Sequence, residues 1–289
     1  MTTTGITAGM EVRTEVVDGR DVEYVVAGSG PPLVLLHGDG ESARDWRWVI
    51  PALSAAHQVC ALSLPGHGGT APAESYTPQS LAAWVSNVLD ALNLPRVSLA
   101  GNSIGALVAL HVALDQAARV ERLMILDSAG LGRVINPVLA METAPGVGEA
   151  AIGTTLLPGG AQLRAAARAP MLFAQPWRAP AEWWSDQVRW GSQRSFLEAT
   201  VAAKRAVLDI GGQREVVLDR LGEVQVPTLV LWGALDQIVP FTHGRAAARR
   251  LPDGRLHLVN DAGHLVHIER PDAVSAAMLA FLAEDRQRE

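Results

Sequence analysis

The sequence has 289 residues, of which 48% are hydrophobic, and its formal net charge is −6. That length fits one large α/β domain carrying an inserted subdomain, and that hydrophobic content supplies a large buried core rather than a disordered chain. The acidic balance lacks the basic face that a nucleic-acid-binding protein needs, so no nucleic-acid partner is expected.

Targeting and redox signals are weak. Residues 1–10 are small and polar, without the basic and apolar segments of a signal peptide, and no apolar stretch is long enough to cross a bilayer. We therefore expect a cytoplasmic protein with no membrane partner. The single cysteine, Cys60, lies in an apolar run and is predicted to be a buried core thiol without an internal disulfide.

Taken in chain order, the first predicted element is a β-hairpin over 12–17 and 22–26, with Asp18-Gly19 as its turn. Short apolar runs then alternate with amphipathic stretches, which predicts buried parallel strands joined by helices. The further predicted strands are 33–36, 59–64, 97–100, 123–126, 227–232 and 255–259. The predicted helices are 43–55, 78–92, the apolar run after Ser103, 242–250 and 272–282.

This alternation stops between residues 133 and 222. The segment contains no convincing strand, and it holds helix-like pieces, Gly and Pro breaks and four tryptophans. We interpret 133–222 as a helical cap inserted into a core formed by 1–132 and 223–289.

One strand-to-helix junction carries a nucleophile motif. Residues 101–105 read Gly-Asn-Ser-Ile-Gly, which fits Gly-x-Ser-x-Gly. On a very tight turn the two glycines would face each other closely, where a Cβ would clash. The turn would also place Ser103 at the positive end of the following helix. By itself a five-residue match also fits an ordinary βα turn.

Other predicted strands end in reactive side chains, at 37–39 (His-Gly-Asp), Asp236 and His264. Ligands of open α/β sheets lie at the carboxyl ends of the strands, so these side chains are expected to meet Ser103. A serine hydroxyl needs a base, and a histidine base needs a carboxylate that fixes its tautomer. Ser, then Asp, then His is one known chain order for this machinery.

With these motifs the sequence resembles the α/β-hydrolase superfamily over nearly the whole chain outside the predicted cap. The resemblance is carried by His37-Gly38, Pro65-Gly66-His67-Gly68, the 101–105 motif, Trp232-Gly233 with Asp236 and Val239-Pro240, and Gly263-His264 with Glu269-Arg270-Pro271.

The resemblance implies an α/β-hydrolase fold, with a mostly parallel eight-stranded sheet, helices on both faces and an inserted helical cap. It implies Ser103 as the nucleophile, Asp236 as the acid and His264 as the base. The backbone N–H groups of Ile104 and Asp39 would form the oxyanion hole.

Alternatives remain at several positions. Asp127 follows the preceding strand and is a rival acid, and Asp236 would also suit a helix cap. His264 is the histidine that follows the last strand with a glycine before it. Its rivals are His37, which is expected to shape the oxyanion loop, and His67, His243, His257 and His267.

Asp39 is unusual beside an oxyanion hole, because its carboxylate would oppose the developing negative charge. We expect its side chain to point away or to bind something. The predicted substrate pocket comprises Gly38, Val239, Leu265, Trp177, Trp183 and Trp184, and the tryptophans suit core packing as well.

No histidine–carboxylate cluster has metal-ligand spacing and no glycine-rich phosphate loop is present, so no metal or cofactor is expected. The expected partner is a small-molecule substrate, and a homodimer is left open.

The resemblance implies a serine hydrolase that forms an acyl-enzyme, acting first of all on carboxylic esters of small or medium apolar substrates. A serine nucleophile disfavours the haloalkane dehalogenase and epoxide hydrolase branches. Asn102 beside Ser103 resembles the elbow of meta-cleavage product hydrolases, which cleave carbon–carbon bonds. However, the loop at 39–42 and Ala106 depart from that branch's glycines. A lactonase, a perhydrolase, and a non-hydrolytic binding or isomerising protein are further alternatives.

Overall fold

An eight-stranded sheet organises the protein in the computed structural model, which describes residues 9–284. Its spatial order is β1-β2-β4-β3-β5-β6-β9-β10, and β7 pairs with β8 in a separate two-stranded sheet. The strands are β1 (Met10–Val17), β2 (Arg20–Ala27), β3 (Pro32–Leu36), β4 (Gln58–Leu62), β5 (Val97–Asn102), β6 (Val120–Leu126), β7 (Leu208–Asp209), β8 (Gly212–Gln213), β9 (Thr228–Gly233) and β10 (Gly254–Val259).

The sheet is mostly parallel. The pairs β1–β2 and β2–β4 are antiparallel, whereas β4, β3, β5, β6, β9 and β10 run parallel to one another. The predicted fold class is therefore confirmed, including the hairpin that begins the sheet. Cys60 lies buried in β4, as predicted from its apolar surroundings.

Helices cover both faces of the sheet. They are α1 (Ile50–Leu53), α2 (Pro78–Ala91), α3 (Ile104–Asp115), α4 (Pro137–Met141), α5 (Val147–Thr155), α6 (Gly160–Leu172), α7 (Ala181–Gly191), α8 (Arg194–Val207), α9 (Phe241–Arg250), α10 (Val266–Glu269) and α11 (Pro271–Ala283). In β3, Val34 and Leu36 pack with α2 and α3, while Leu33 and Leu35 pack with α1 and α11. Because both faces are buried, the strand reads as a continuous apolar run.

The single helix predicted over 43–55 is wrong. The structure has a 3₁₀ helix at Ala43–Trp46 and a separate short helix, α1. Pro51 lies in the first turn of α1, where its missing N–H is tolerated, but it cannot continue a helix that began at residue 43. Burial of Trp46 in the core then sets the direction of the chain between the two pieces.

The segment between β6 and β9 is built mainly from helices α4 to α8, as its composition predicted. The pair β7–β8 was not expected there, since two residues per strand are too short to show alternation. Treating 133–222 as a domain of its own remains a prediction. Among residues 9–284, none of the helices combines the length and the apolarity needed to cross a membrane.

Candidate active site

The turn between β5 and α3 holds Ser103 in a strained conformation, with φ 54° and ψ −118°. A Cβ added to Gly101 would collide with the backbone of Gly105, and one added to Gly105 would collide with the carbonyl of Leu36. Both glycines are therefore required by close backbone approach, as the motif predicted. Ser103 projects from this turn with 7% of its surface exposed.

His264 is fixed by Asp236. The Nδ1 of His264 lies 2.9 Å from the Oδ2 of Asp236. The other carboxylate oxygen, Oδ1, accepts the backbone N–H groups of Ile238 at 2.7 Å and Val239 at 3.1 Å. A carboxylate only accepts hydrogen bonds, so Nδ1 carries the proton and Nε2 is the nitrogen available to a reacting hydroxyl.

Ser103 and His264 line the same small cavity, whose volume is about 30 Å³. Ile104 and Asp39, the predicted oxyanion-hole residues, line it too. The structure thus brings together at one edge of the sheet the nucleophile, base and oxyanion candidates that the sequence singled out.

Asp127, the alternative acid, occupies a different position. It is fully buried, its Oδ1 accepts the N–H of Gly233 at 2.8 Å, and its Oδ2 has no hydrogen-bond partner within residues 9–284. Burial, and then the nearby charge of Asp236, raise the pKa of Asp127 well above its usual value. The hydrogen bond from His264 goes to Asp236, and Asp127 takes no part in it.

His37 shapes the loop after β3. Its Nε2 accepts the N–H of Leu64 at 2.8 Å, so its Nδ1 carries the proton and donates to the carbonyl of Gly38, also at 2.8 Å. Burial lowers the pKa of His37 to about 3, which keeps the ring neutral. This arrangement fits the expected role of His37 in holding the oxyanion loop.

The carboxylate of Asp39 is directed to two cations. Its Oδ2 lies 3.3 Å from the Nζ of Lys204 and 3.5 Å from the Nη1 of Arg168, and Arg168 Nη2 donates to the Asp39 carbonyl at 2.8 Å. Burial by itself would raise the pKa of Asp39, but Lys204 and Arg168 hold it below its usual value. The expectation that this side chain binds something is met by these two pairs.

Glu41 is a site residue that sequence reasoning missed. It is buried, lines the cavity with Ser103, and its Oε2 accepts the N–H of Gly38 at 3.2 Å. Burial and the neighbouring Asp45 raise the pKa of Glu41 well above its usual value. Its position three residues after Gly38, where a side chain can cap a loop N–H, was the available signal.

Apolar side chains line most of the remaining cavity wall. They come mainly from helices α3, α4, α6 and α8 and the loops beside them: Ile104, Ala129, Ile135, Leu139, Met171, Leu172, Val207, Leu208 and Ile238. Arg168 and Lys204 also line the cavity, whereas the predicted pocket residues included no charged side chain. No sequence motif predicted these two cations, because they lie in 133–222, a segment that was interpreted from its composition alone.

The predicted pocket tryptophans are corrected by the structure. Trp183 is fully buried and packs edge-on against Phe173 and Trp184, with ring centroids 4.9 and 5.0 Å away. Trp177 is 78% exposed. None of the three tryptophans lines the cavity at Ser103, since they serve packing or the surface.

Two other predicted pocket residues also lie elsewhere. Val239 and Leu265 are fully buried in the hydrophobic core and do not line the cavity at Ser103. Gly38 is close to Ser103, since a Cβ on Gly38 would lie 3.1 Å from the Cβ of Ser103. Within residues 9–284, no group of three His, Cys, Asp or Glu side chains could hold a metal ion.

This fold and site define a class of enzyme. The chain belongs to the alpha/beta hydrolase fold family, whose sequence model matches residues 31–271.

Several known proteins are similar to this chain. It is 35% identical over 269 residues to the dihydrolipoyllysine-residue acetyltransferase component of the acetoin cleaving system of Pseudomonas putida, covering 92% of this chain and 68% of that protein. It is 28% identical to a 2-hydroxy-6-oxo-6-phenylhexa-2,4-dienoate hydrolase of Comamonas testosteroni, covering 91% of each chain. The crystal structure of a serine hydrolase involved in carbazole degradation superposes with a TM-score of 0.80 at 25% identity, covering 95% of this chain and 99% of that one.

Proposed function

We propose that this protein is a serine hydrolase that cleaves carboxylic esters through an acyl-enzyme. Ser103 is the nucleophile, His264 the general base and Asp236 the carboxylate that orients it. The proposal rests above all on the 2.9 Å hydrogen bond between His264 and Asp236, made beside a strained serine that faces the same cavity.

In the first half of the reaction, Ser103 Oγ attacks the ester carbonyl carbon while His264 Nε2 takes the hydroxyl proton. The C–O bond to the alcohol then breaks, and the imidazolium returns the proton to the leaving alkoxide. In the second half, water attacks the acyl-enzyme, gives its proton to His264, and releases the acid as Ser103 recovers its proton. Asp236 stabilises the imidazolium in both halves.

The oxyanion formed in each half needs fixed donors. Ile104 is the first residue of α3, so its backbone N–H has no partner within the helix. The N–H of Asp39 belongs to the loop that His37 and Glu41 hold in place. Two such donors in a water-poor cavity are the usual arrangement for stabilising a tetrahedral intermediate.

The experiment is pre-steady-state hydrolysis of p-nitrophenyl butyrate. The wild-type protein should release a burst of nitrophenolate equal to the enzyme concentration, and Ser103→Ala should abolish it. Ser98→Ala, which alters a buried serine of the same strand, is the matched control and should keep the burst. Full turnover by Ser103→Ala would refute the proposal.

Carbon–carbon bond hydrolysis is a second candidate, favoured by Asn102 beside the nucleophile and by the similarity to the dienoate hydrolase of Comamonas testosteroni. A panel of ring-fission dienoates, simple esters and lactones, scored by kcat/KM, separates this activity from the proposed one. If a fluorophosphonate probe fails to label Ser103 and no panel member turns over, the protein is a binding module.

Acyl transfer shares the first half-reaction with ester hydrolysis, and the acetyltransferase component of Pseudomonas putida is a relative. A dithiol added during turnover of the butyrate ester distinguishes the two activities. Under the proposed function the product remains butyrate, and the thioester does not accumulate.

A further inference from the structure

A second cavity adjoins the catalytic one. It has a volume of about 460 Å³ and lies between helices α4, α5, α6 and α8. Arg168, Met171 and Lys204 line both cavities, so the two cavities meet at these side chains. The cavity at Ser103, at about 30 Å³, has room for little more than water, so the body of an acyl chain has to lie in the larger one.

Charges in the larger cavity do not balance. Three cations line it, Arg164, Arg168 and Lys204. Two carboxylates form ion pairs with these cations. Asp39 pairs with Arg168 and Lys204, and Glu142 pairs with Lys204.

Arg164 is the cation left over. Its Nη1 donates to the amide oxygen of Gln187 at 3.2 Å, and its Nη2 is buried without a hydrogen-bond partner in the part of the chain that the structure describes. Burial, and then repulsion from Arg168, lower the pKa of Arg164 to about 9. Asp39 and Glu142 attract this charge from beyond ion-pair distance. A partly buried guanidinium without an ion-pair partner is costly, and an anionic ligand would relieve that cost.

Arg164 is also near the nucleophile along the oxyanion loop. A Cβ on Gly40 would lie 2.9 Å from Arg164 Nη2, and one on Gly38 would lie 3.1 Å from the Cβ of Ser103. These glycines are two residues apart, so their Cα atoms are separated by at most about 7 Å. With the two contacts and the Cα–Cβ bonds added, Arg164 Nη2 lies within about 16 Å of the Cβ of Ser103. A chain of methylene groups can span a separation within this bound, and Leu163, Leu197 and Val201 supply apolar contacts for it.

We propose that the larger cavity binds a carboxylate of the substrate at Arg164, so that the substrates are esters with a free carboxylate at the far end of a short acyl chain. One guanidinium without an ion-pair partner matches a monoanion better than a doubly charged phosphate. This inference rests on the proposed esterase function, which it deepens by naming the substrate class.

The test compares p-nitrophenyl monoesters of adipic and suberic acid with the same esters in which the free carboxylate is a primary amide. For the wild-type protein, kcat/KM should be higher for the acid esters than for the amide esters. This preference should be larger for one of the two chain lengths than for the other. Arg164→Gln should lower kcat/KM for the acids by roughly ten- to a hundred-fold, the range of a charged hydrogen bond, while the amides change little.

Arg205→Gln is the matched control, because Arg205 lies on α8 outside both cavities and pairs with Glu149. It should leave both ester series unchanged. Equal losses on acids and amides in Arg164→Gln would overturn the inference, because they would indicate a structural role. Thermal melting of each variant checks the fold.

Direct binding separates this inference from the proposed function. Calorimetry should show hexanoate, but not hexanamide, binding to the wild-type protein and not to Arg164→Gln. Equal binding of hexanoate to both proteins, or none to either, overturns the carboxylate site. If the amide esters are still hydrolysed and Ser103 is still labelled, the esterase proposal stands without the carboxylate site. If the amide esters are not hydrolysed and Ser103 is not labelled, the esterase proposal itself is contradicted.

Discussion

The side-chain amide of Asn102 donates a hydrogen bond to the backbone carbonyl of His264, with Nδ2 and O 3.1 Å apart. The two residues are 162 positions apart in the chain, and the same amide also reaches the carbonyl of Leu126 at 3.3 Å. Asn102, the residue before Ser103, therefore links the loop that carries His264 to the strand end that carries Ser103.

Asn102→Ala should lower kcat for ester hydrolysis by about ten-fold, since a loss of 1.4 kcal/mol in positioning corresponds to that factor. Loss of two buried hydrogen bonds should also lower the free energy of unfolding by about 2 kcal/mol. The rate of fluorophosphonate labelling and urea unfolding check the two effects. Asn87→Ala, which changes an exposed amide, should alter neither.

Asp236→Asn should lower kcat by about ten-thousand-fold, the loss seen when a histidine base is left in the wrong tautomer. Asp127→Asn should cost less than about ten-fold by the same comparison, because His264 hydrogen-bonds to Asp236 rather than to Asp127, and an amide oxygen can still accept the N–H of Gly233. Steady-state hydrolysis of p-nitrophenyl butyrate ranks the variants. The reverse order would make Asp127 the acid.

His267 should govern part of the stability at acid pH. It is fully buried, stacks on Trp46 at 4.3 Å, and neither ring nitrogen has a hydrogen-bond partner within residues 9–284. Burial lowers the pKa of His267 from its ordinary 6.5 to about 3. Between about pH 6.5 and 3, His267 is therefore protonated in the unfolded chain but not in the folded protein. The free energy of unfolding falls as the pH drops through this range.

His267→Phe removes the imidazole that takes up this proton on unfolding. Its free energy of unfolding relative to wild type should rise by about 1.4 kcal/mol for each pH unit below 6, and stay constant above pH 7.5. Urea titrations at half-unit intervals measure this difference. A difference independent of pH would mean that His267 is not buried in its neutral form.

Asp39→Asn should destabilise the protein by about 3 kcal/mol, because Arg168 and Lys204 would stay buried without that carboxylate. The control is Asp90→Asn, which breaks an exposed pair with Arg119 and should cost less than about 1 kcal/mol. Urea unfolding compares the two. Salt should weaken the Asp90 effect and leave that of Asp39 nearly unchanged, since screening acts on exposed charges.

Local rules were enough for much of the fold. The apolar runs of the strands predicted the parallel sheet, because strands buried on both faces have no polar side to display. The close approach of Gly101 to Gly105 was predicted from the motif, since these two residues are only four positions apart. The break of residues 43–55 into two short helices was not predicted, because the burial of Trp46 and the position of Pro51 matter only once the core forms.

By itself, the sequence determined the class of fold, the strained serine turn, and which side chains stand at the carboxyl ends of the strands. These features depend on periodicity and on sterics between near neighbours. The tertiary structure alone decided that Trp183 packs in the core, and that Arg168 and Lys204 converge on Asp39 while Arg164 stays without a carboxylate. The physical reason is that each of these depends on how helices far from the loop in sequence pack against it, and no local pattern records that packing.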